Sequence, residues 1–514
     1  MAPLLQDLID PKWVLAVRGG LDVPIGRVVT DSRQVSPGDL FVCLPGYRTE
    51  GGEIRADRHD FISAALERGA TALLVEREIE PIPGVTVVRV ADAWAAVAEV
   101  SCRYYGDPSK RLLVVGVTGT SGKTSTTYFI EAVLRAAGHR VARFGTIEYR
   151  IGDEVLPAAQ TTPEAPVIQA LLRRACDHGC TAAVMEVSSH ALELRRVGGI
   201  AFDVAVFTNL SQDHLNFHPD MHHYVRAKGR LFEELSSGGK DATAVVNIDD
   251  PASGHILGLN RGSTLTYAID DGSATVRAEE VRTGLHGATF NARTPNGSVA
   301  VSLGHLGEYS VYNALAAVAV GHALGLDLET IRSGVAATPS VPGRFELIDE
   351  RQGFVVAVDY AHKPDALQRL LESARRLGPR RIITVFGCGG DRDRGKRPLM
   401  GRLAIELSDY VVITSDNPRS EDPRAIVDAI LSGVRVVDPN AERYVVEIDR
   451  RAAIRRAVRS AGADDIVLVV GKGHETYQLV GAQRLDFDDR LEAVAAIRAL
   501  SRSTRSEGIR DSAV

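Results

Sequence analysis

The chain has 514 residues, 45% of them hydrophobic, and a formal net charge of −6. That length exceeds what one core supports and implies roughly two to four domains of ordinary soluble composition. The mild acidity excludes a basic field for nucleic-acid binding, and no apolar run is long enough for a bilayer span or a typical signal peptide.

Residues 1–108 form the first block, with strand-like runs at Asp39–Leu44 and Ala72–Val75 and a break at Gly106-Asp107-Pro108. The second block, residues 109–339, opens with the apolar run Leu112-Leu-Val-Val115. It leads into Gly116-Val-Thr-Gly-Thr-Ser-Gly-Lys-Thr-Ser125. A strand entering a glycine-rich turn and then a helix is a phosphate cradle. Gly119, Thr120, Ser121, Gly122 and Ser125 are expected to line it, Lys123 to bring charge, and Thr124 to offer a hydroxyl to magnesium. The usual P-loop has a glycine where Val117 stands, with Gly116 one place off. Strands are then predicted at Ala182–Val187, Val204–Thr208 and Ala244–Ile248, alternating with helices: an α/β domain with a mostly parallel sheet.

Residues 340–502 repeat the α/β rhythm, with strands expected at Phe354–Val358, Ile382–Phe386, Tyr410–Thr414 and Ile466–Val470. Each ends at a turn rich in polar or charged groups: Asp359-Tyr-Ala-His362, Gly387-Cys-Gly-Gly-Asp-Arg392, Ser415-Asp-Asn-Pro-Arg419 and Gly471-Lys-Gly-His-Glu475. Ligands of open α/β sheets bind beyond the carboxyl ends of strands, so a second binding surface is expected, facing the P-loop domain. Residues 503–514 read as a frayed polar tail. The five cysteines, an odd number, suggest reduced thiols and a cytoplasmic protein. Cys176 and Cys180, one helical turn apart, read as helix packing.

Three further residues carry chemistry. Glu186 ends a buried strand, which is costly unless a cation, either magnesium or a basic side chain, meets it. His214 follows the next strand and is a second candidate ligand. From Asp220, a good N-cap, to Leu235 the pattern is helical, and Lys228 falls on the apolar stripe of Met221, Tyr224, Leu231, Phe232 and Leu235. An inward lysine is ion-paired, snorkels, or loses its proton. In the last case the amine can take up carbon dioxide as a carbamate.

The shortened Gly-Thr-x-Gly-Lys-Thr loop resembles the ATP site of the Mur ligase and folylpolyglutamate synthetase superfamily. Glu186-Val-Ser-Ser-His190, Asn209-Leu-Ser-x-Asp-His214 and Tyr224-x-x-x-Lys228 are similar to successive signatures of the muramyl ligases. The resemblance implies three α/β domains: a small UDP-binding domain, a central P-loop domain and a Rossmann-like C-terminal domain. It implies that Thr124, Glu186, His214 and carbamylated Lys228 serve magnesium, and that Asn313 and Arg344 contact ATP. Thr30-Asp-Ser-Arg33 and Pro37-Gly-Asp-Leu-Phe41 resemble the first domain of UDP-N-acetylmuramoyl-L-alanyl-D-glutamate ligases, the MurE type. Carried over, Thr30, Ser32, Tyr47, Arg48, Thr49, Gln160, Thr161, Thr162, Ser188 and Arg196 touch the UDP-muramyl-dipeptide. Gln160 stands where the family usually has Asn.

Asp416-Asn417-Pro418-Arg419 resembles the motif of the diaminopimelate-adding members, with Arg392, Gly471 and Glu475 completing the amino-acid contacts. Meso-diaminopimelate differs from lysine by one carboxylate, which an arginine fork matches in two hydrogen bonds. The resemblance thus implies an ATP-dependent amide ligase of peptidoglycan precursor synthesis, in the bacterial cytoplasm and monomeric, working through an acyl phosphate. His362 and His474 are candidates for the amine's base. Closure of the last domain over the central one is expected to assemble the site. A lysine-adding or folate-polyglutamylating relative is the nearest rival; a P-loop ATPase that makes no bond leaves Lys228 and the C-terminal turns without a role.

Overall fold

The structure, a computed structural model, describes residues 2–49 and 54–511, with 501–511 by backbone alone. The chain divides into two compact units. One comprises residues 1–279, 292–299 and 312–337; the other comprises 280–291, 300–311 and 338–514.

Two large sheets lie in the first unit. The N-terminal one runs, in spatial order, Val14–Arg18, Thr86–Val90, Ala72–Val75, Leu40–Val42 and Val28–Val29, antiparallel at the first pair and parallel thereafter. Ala72–Val75 is buried at all four residues, the mark of a parallel strand covered on both faces, which is why an unbroken apolar run reads as a strand there. The central sheet places Val141–Phe144, Ala182–Glu186, Leu113–Thr118, Val204–Phe207, Thr243–Asn247 and Ser263–Ala268 side by side and parallel. In register, Glu186 lies beside Val117, and Phe207 beside Thr118. The carboxyl ends of three neighbouring strands therefore open on one edge, bringing Gly119, Glu186 and Thr208 together although they are far apart in sequence.

The helix carrying Lys228 spans Met221–Glu233, with Asp220 as its N-cap: Asp220 Oδ1 accepts from His223 N at 2.8 Å. Such a cap stabilises a helix by about 1 kcal/mol. Tyr224, Ala227, Lys228, Leu231 and Phe232 form its buried face, so the lysine points inward as its spacing predicts.

In the second unit a six-stranded sheet runs Glu346–Leu347, Val355–Asp359, Ile466–Val470, Ile382–Phe386, Tyr410–Ile413 and Tyr444–Val446, parallel except for the first pair. Alternate strand residues feed two cores. Ala357, Phe386, Val411 and Leu468 pack on one side, and Val358, Val385, Val412 and Val467 on the other. Both faces are covered, as in a doubly wound α/β fold. Asp465 ties the base of this sheet: Oδ2 accepts from Arg380 Nη2 (2.9 Å), Arg381 Nη2 (2.6 Å) and Gly462 N (2.9 Å). Burial alone would raise this carboxyl, but the arginine and amide bonds outweigh it and bring it down to about 2. A depressed carboxylate contributes stability that is present above its unfolded pKa, near 3.8, and lost as pH falls through about 2. Asp465→Asn is therefore expected to melt well below the wild type at pH 6, with the gap narrowing steadily below pH 4 in calorimetry.

Several sequence expectations shift. The strand beginning at Leu112 runs Leu113–Thr118, and Asp39–Leu44 shortens to Leu40–Val42. The helix bearing Cys176 ends at Asp177, and Gly179 follows with φ +72°, so Cys180 lies past the helix rather than a turn further along it. It still packs into the central core, with Cys176 against it. The final helix spans Asp489–Asp511, crossing the point from which a frayed tail was expected; residues 512–514 lie outside those described. Among the described residues no helix is long and apolar enough to cross a membrane.

Candidate functional site

The P-loop turn is strapped to the neighbouring strand end. Thr120 N donates to Asn209 O (2.8 Å), Ser121 N to Asn209 Oδ1 (2.9 Å), and both Asn209 Nδ2 (3.1 Å) and Thr208 Oγ1 (2.7 Å) donate to Ser121 O. Gly119 has φ +149° and Gly122 φ +84°, conformations that disfavour any side chain. A Cβ at Gly119 would stand 1.9 Å from Thr208 Oγ1, and one at Gly122 2.6 Å from Asn313 Oδ1. Glycine is thus required at both positions by backbone and by space. Asn313 also accepts from Thr126 Oγ1 at 3.1 Å, which puts this expected nucleotide contact against the P-loop helix Lys123–Ala136.

Lys123 Nζ donates to Gly119 O and to Thr120 O, each at 3.0 Å. Lys228 Nζ, on a residue only 1% exposed, donates to the same Gly119 O at 2.7 Å. Two lysine side chains thus converge on one carbonyl oxygen of the P-loop. Tyr224 links the two elements. Its hydroxyl lies 3.1 Å from Thr120 Oγ1, and Lys228 Nζ sits 4.5 Å from its ring centre, within cation–π range.

Glu186 is fully buried, and it meets neutral donors rather than the basic side chain that was one sequence alternative. Thr124 Oγ1 (3.0 Å) and Thr146 Oγ1 (3.1 Å) donate to Oε2, and Thr146 N (2.8 Å) to Oε1. Among the described residues no cation pairs with it. A buried carboxylate beside a P-loop hydroxyl, with its charge not neutralised, fits a hard divalent ion. His214, at φ +56°, has its ring 6.1 Å from that of Tyr224 and 4.9 Å from that of His190. Burial, with His214 and His218 nearby, pushes His190 down to about 2, so it is neutral.

A second network adjoins Glu186. Thr162 Oγ1 donates to Glu186 O (2.8 Å) and accepts from Ser188 N (3.1 Å), while Thr161 Oγ1 is 3.1 Å from Thr146 Oγ1. Arg196 donates to Gln160 Oε1 (3.1 Å), Thr162 O (3.0 Å) and Tyr47 OH (3.2 Å). Tyr47, Gln160, Thr161, Thr162, Ser188 and Arg196, scattered in sequence, are thus continuous in space. Arg196 is buried, pairs with no carboxylate among the described residues, and its Nε has no partner. A desolvated guanidinium left this way is a receptor for an anionic group. Thr30 Oγ1 donates instead to Glu164 Oε2 (2.8 Å), which Arg58 also grips (2.9 Å). Ser32 is buried at the start of a short 3₁₀ turn, and Tyr47-Arg48 pairs with Ile54-Arg55 as a small ribbon bearing Thr49 at its end.

In the second unit the turns after four parallel strands meet. Fully buried Arg450, paired with Asp489 (2.7 and 2.6 Å), donates to Ser415 O (3.4 Å) and Val470 O (3.0 Å). It thereby clamps the two strand ends that launch Asp416 and Gly471. Asp416 lies so near Gly471 that a Cβ there would come within 2.8 Å of its Oδ2. Asn417 Nδ2 donates to Glu475 Oε2 at 2.8 Å. Arg419 Nη1 donates to Gly390 O (2.8 Å) and Arg392 Nη1 to Asp391 O (3.3 Å). Among the described residues neither arginine has a carboxylate within ion-pair distance. Pro418 closes on Gly390, where a Cβ would fall 1.9 Å from Pro418 O. His362 Nδ1 lies 2.9 Å from Tyr360 O; a carbonyl only accepts, so Nδ1 carries the proton and Nε2 the lone pair. Burial pushes His362 and His474 down to about 4, leaving both neutral near pH 7. Arg344 stacks over the Tyr360 ring at 4.9 Å.

Three family models match the chain in series: the Mur ligase family catalytic domain over residues 24–105, the Mur ligase middle domain over 117–321, and the Mur ligase glutamate ligase domain over 343–473. A UDP-N-acetylmuramoyl-L-alanyl-D-glutamate–2,6-diaminopimelate ligase of Geobacter metallireducens is 45% identical over 97% of this chain and 99% of its own length.

The chain belongs to the Mur ligase family.

A Listeria monocytogenes ligase of the same description is 42% identical over 96% of this chain and 98% of its own. Among solved structures, one of a UDP-N-acetylmuramoyl-L-alanyl-D-glutamate–2,6-diaminopimelate ligase is 34% identical, with a TM-score of 0.72 over 98% of this chain and 100% of that one. A Mycobacterium tuberculosis folylpolyglutamate synthase shares the fold at 19% identity, with a TM-score of 0.58 over 73% of this chain and 92% of that one. Mur ligases use ATP, which accords with the P-loop geometry. Sequence reasoning missed Asn209 as the strap of this Mur ligase's P-loop, Thr146 as a donor to Glu186, and Arg450 beneath the C-terminal turns. Asn209 lies inside a family signature, Asn209-Leu-Ser-x-Asp-His214; Thr146 and Arg450 carried no local signal.

Proposed function

We propose that this Mur ligase joins meso-diaminopimelate to UDP-N-acetylmuramoyl-L-alanyl-D-glutamate, using ATP. The carrying observation is the convergence of Lys123 and Lys228 on Gly119 O beside the Thr124–Glu186 pair, a cationic cradle with a carboxylate at its rim. The two relatives described above bear this activity in their names and match nearly end to end.

In this reading Gly119 to Ser125, with Asn313 and Arg344, bind ATP. Thr124, Glu186, His214 and Lys228 as a carbamate would hold magnesium; the geometry that supports this is a buried carboxylate served, among the described residues, by neutral donors. Bound magnesium would neutralise charge on the phosphates. Thr30, Ser32, Tyr47, Arg48, Thr49, Gln160, Thr161, Thr162, Ser188 and Arg196 bind the UDP-muramyl-dipeptide, with buried Arg196 meeting one of its carboxylates. The D-Glu γ-carboxylate attacks the γ-phosphorus of ATP, expelling ADP and forming an acyl phosphate. Lys123 and the P-loop amides stabilise the charge on the transferred group. The amine of diaminopimelate, held by Arg392, Asp416, Asn417, Pro418, Arg419, Gly471 and Glu475, attacks the acyl carbon. Phosphate leaves, and the amine's proton passes to a base. No side chain acts as a covalent nucleophile, so the protein's work is positioning and electrostatics. The protein acts as a monomer in the bacterial cytoplasm, where its five free thiols stay reduced.

Purified protein given ATP, magnesium and UDP-muramyl-dipeptide is expected to release phosphate and form a tripeptide with meso-diaminopimelate, and not with lysine or glutamate. Nucleotide turnover with no new amide, whichever amine is offered, would overturn the reading.

A further inference from the structure

We infer that Lys472 is a positioning residue for the amino-acid site, one that sets the Glu475 carboxylate and the Asn417 amide without touching substrate. The inference rests on the ligase reading above. Lys472 sits in the turn after the strand Ile466–Val470 and is 0% exposed, a burial that lysine almost never adopts unless paired. Its Nζ donates to Asn417 Oδ1 (3.1 Å) and Glu475 Oε2 (3.1 Å), and lies 5.5 Å from the Tyr477 ring centre. Asn417 Oδ1 takes a second bond from Leu479 N (3.0 Å), and its Nδ2 donates to Glu475 Oε2 (2.8 Å).

The orientation of Asn417 follows without ambiguity: its oxygen faces two donors and its nitrogen faces a carboxylate. Both lone pairs of that oxygen are used within the protein, so Asn417 contributes to the site by holding rather than by accepting from a ligand. Both bonds to Glu475 fall on Oε2, which leaves Oε1 for an ammonium group. Glu475 is also the partly exposed member of the trio, at 19% side-chain accessibility. Lys472 is therefore the buried donor that keeps Glu475 aimed, while Arg450 fixes the strand ends below. Its removal would leave Asn417 Oδ1 short of a donor and Glu475 Oε2 with one bond, from Asn417 Nδ2, in place of two.

The test is steady-state kinetics of the full chain, wild type against Lys472→Met and Lys472→Arg, varying each substrate in turn. For Lys472→Met the KM for meso-diaminopimelate is expected to rise at least about tenfold, while the KM values for ATP and UDP-muramyl-dipeptide stay within about twofold. Lys472→Arg is expected to recover part of the loss. An unchanged KM for diaminopimelate, or parallel losses for all three substrates, would overturn the inference. Should Lys472→Met fail to fold, Lys472→Gln, which keeps a donor, is read by the same criteria; failure of both to fold would mark Lys472 as merely structural and overturn it too. A wild type that forms no tripeptide overturns the ligase reading itself, before any variant is compared.

Discussion

Lys228→Ala is expected to abolish tripeptide synthesis while leaving the fold intact, and millimolar formate or acetate to restore part of the rate. That is the expected result if the Lys228 amine is a carbamate at work. The amine must lose a proton, and carbon dioxide must then add to nitrogen with loss of a second proton, turning a cation into an anion. The surroundings of Lys228 accord with this reading. The Lys228 amine is buried and shares Gly119 O with Lys123 at the P-loop. A small carboxylate entering the space vacated by the side chain would replace the anion but not its tether, so rescue should be partial. Labelled bicarbonate gives an independent readout: a carbamate resonance in the carbon spectrum of the wild type, absent from the variant. Full activity of Lys228→Ala would dispose of the carbamate.

Arg419→Ala is expected to lower kcat/KM for meso-diaminopimelate by about 2–4 kcal/mol, the scale for orphaning a paired charge. That is about thirtyfold to a thousandfold. Turnover with lysine should change far less, so discrimination between the two amino acids collapses. The backbone permits a clean comparison. Arg419 lies at φ +53° and already carries a Cβ there, so alanine brings no conformational penalty that arginine did not. Its guanidinium is held by carbonyl oxygens, which orient it without neutralising it, so its charge remains available to a carboxylate. Arg419→Lys keeps the charge and loses the fork, and should fall between the wild type and alanine. If selectivity measured by competing the two amino acids is unchanged in both variants, Arg419 does not set it.

What was legible in the chain, and what was not, divides by distance. The P-loop, the strands that end in polar turns and the inward face of the Lys228 helix are all local patterns. A run of apolar residues, a capping aspartate and a 3.6-residue stripe suffice to place them, and the structure puts them within a residue or two. The partners of Glu186 were not legible, because Thr146 reaches it across 40 residues and adjacent strands. The tie of Thr30 to Glu164, 134 residues apart, gave no local sign either. Lys472 stood in a turn marked for its neighbours Gly471 and Glu475, yet nothing in the spacing said that this lysine, like Lys228, would be enclosed. Cys180 was misplaced onto a helix because a four-residue interval looks the same whether or not Gly179 has already turned the chain away.

The cysteines have a practical corollary. Four of the five thiols are buried and only Cys176 is partly open to solvent, its Sγ 3.6 Å from Pro108 O. Burial pushes Cys43 far above the ordinary thiol range, and Cys102 and Cys388 to about 12, so they seldom present a thiolate. A maleimide dye offered in slight excess to the native protein should therefore attach at one position, giving a single-colour reporter on the central domain without any cysteine having to be engineered away.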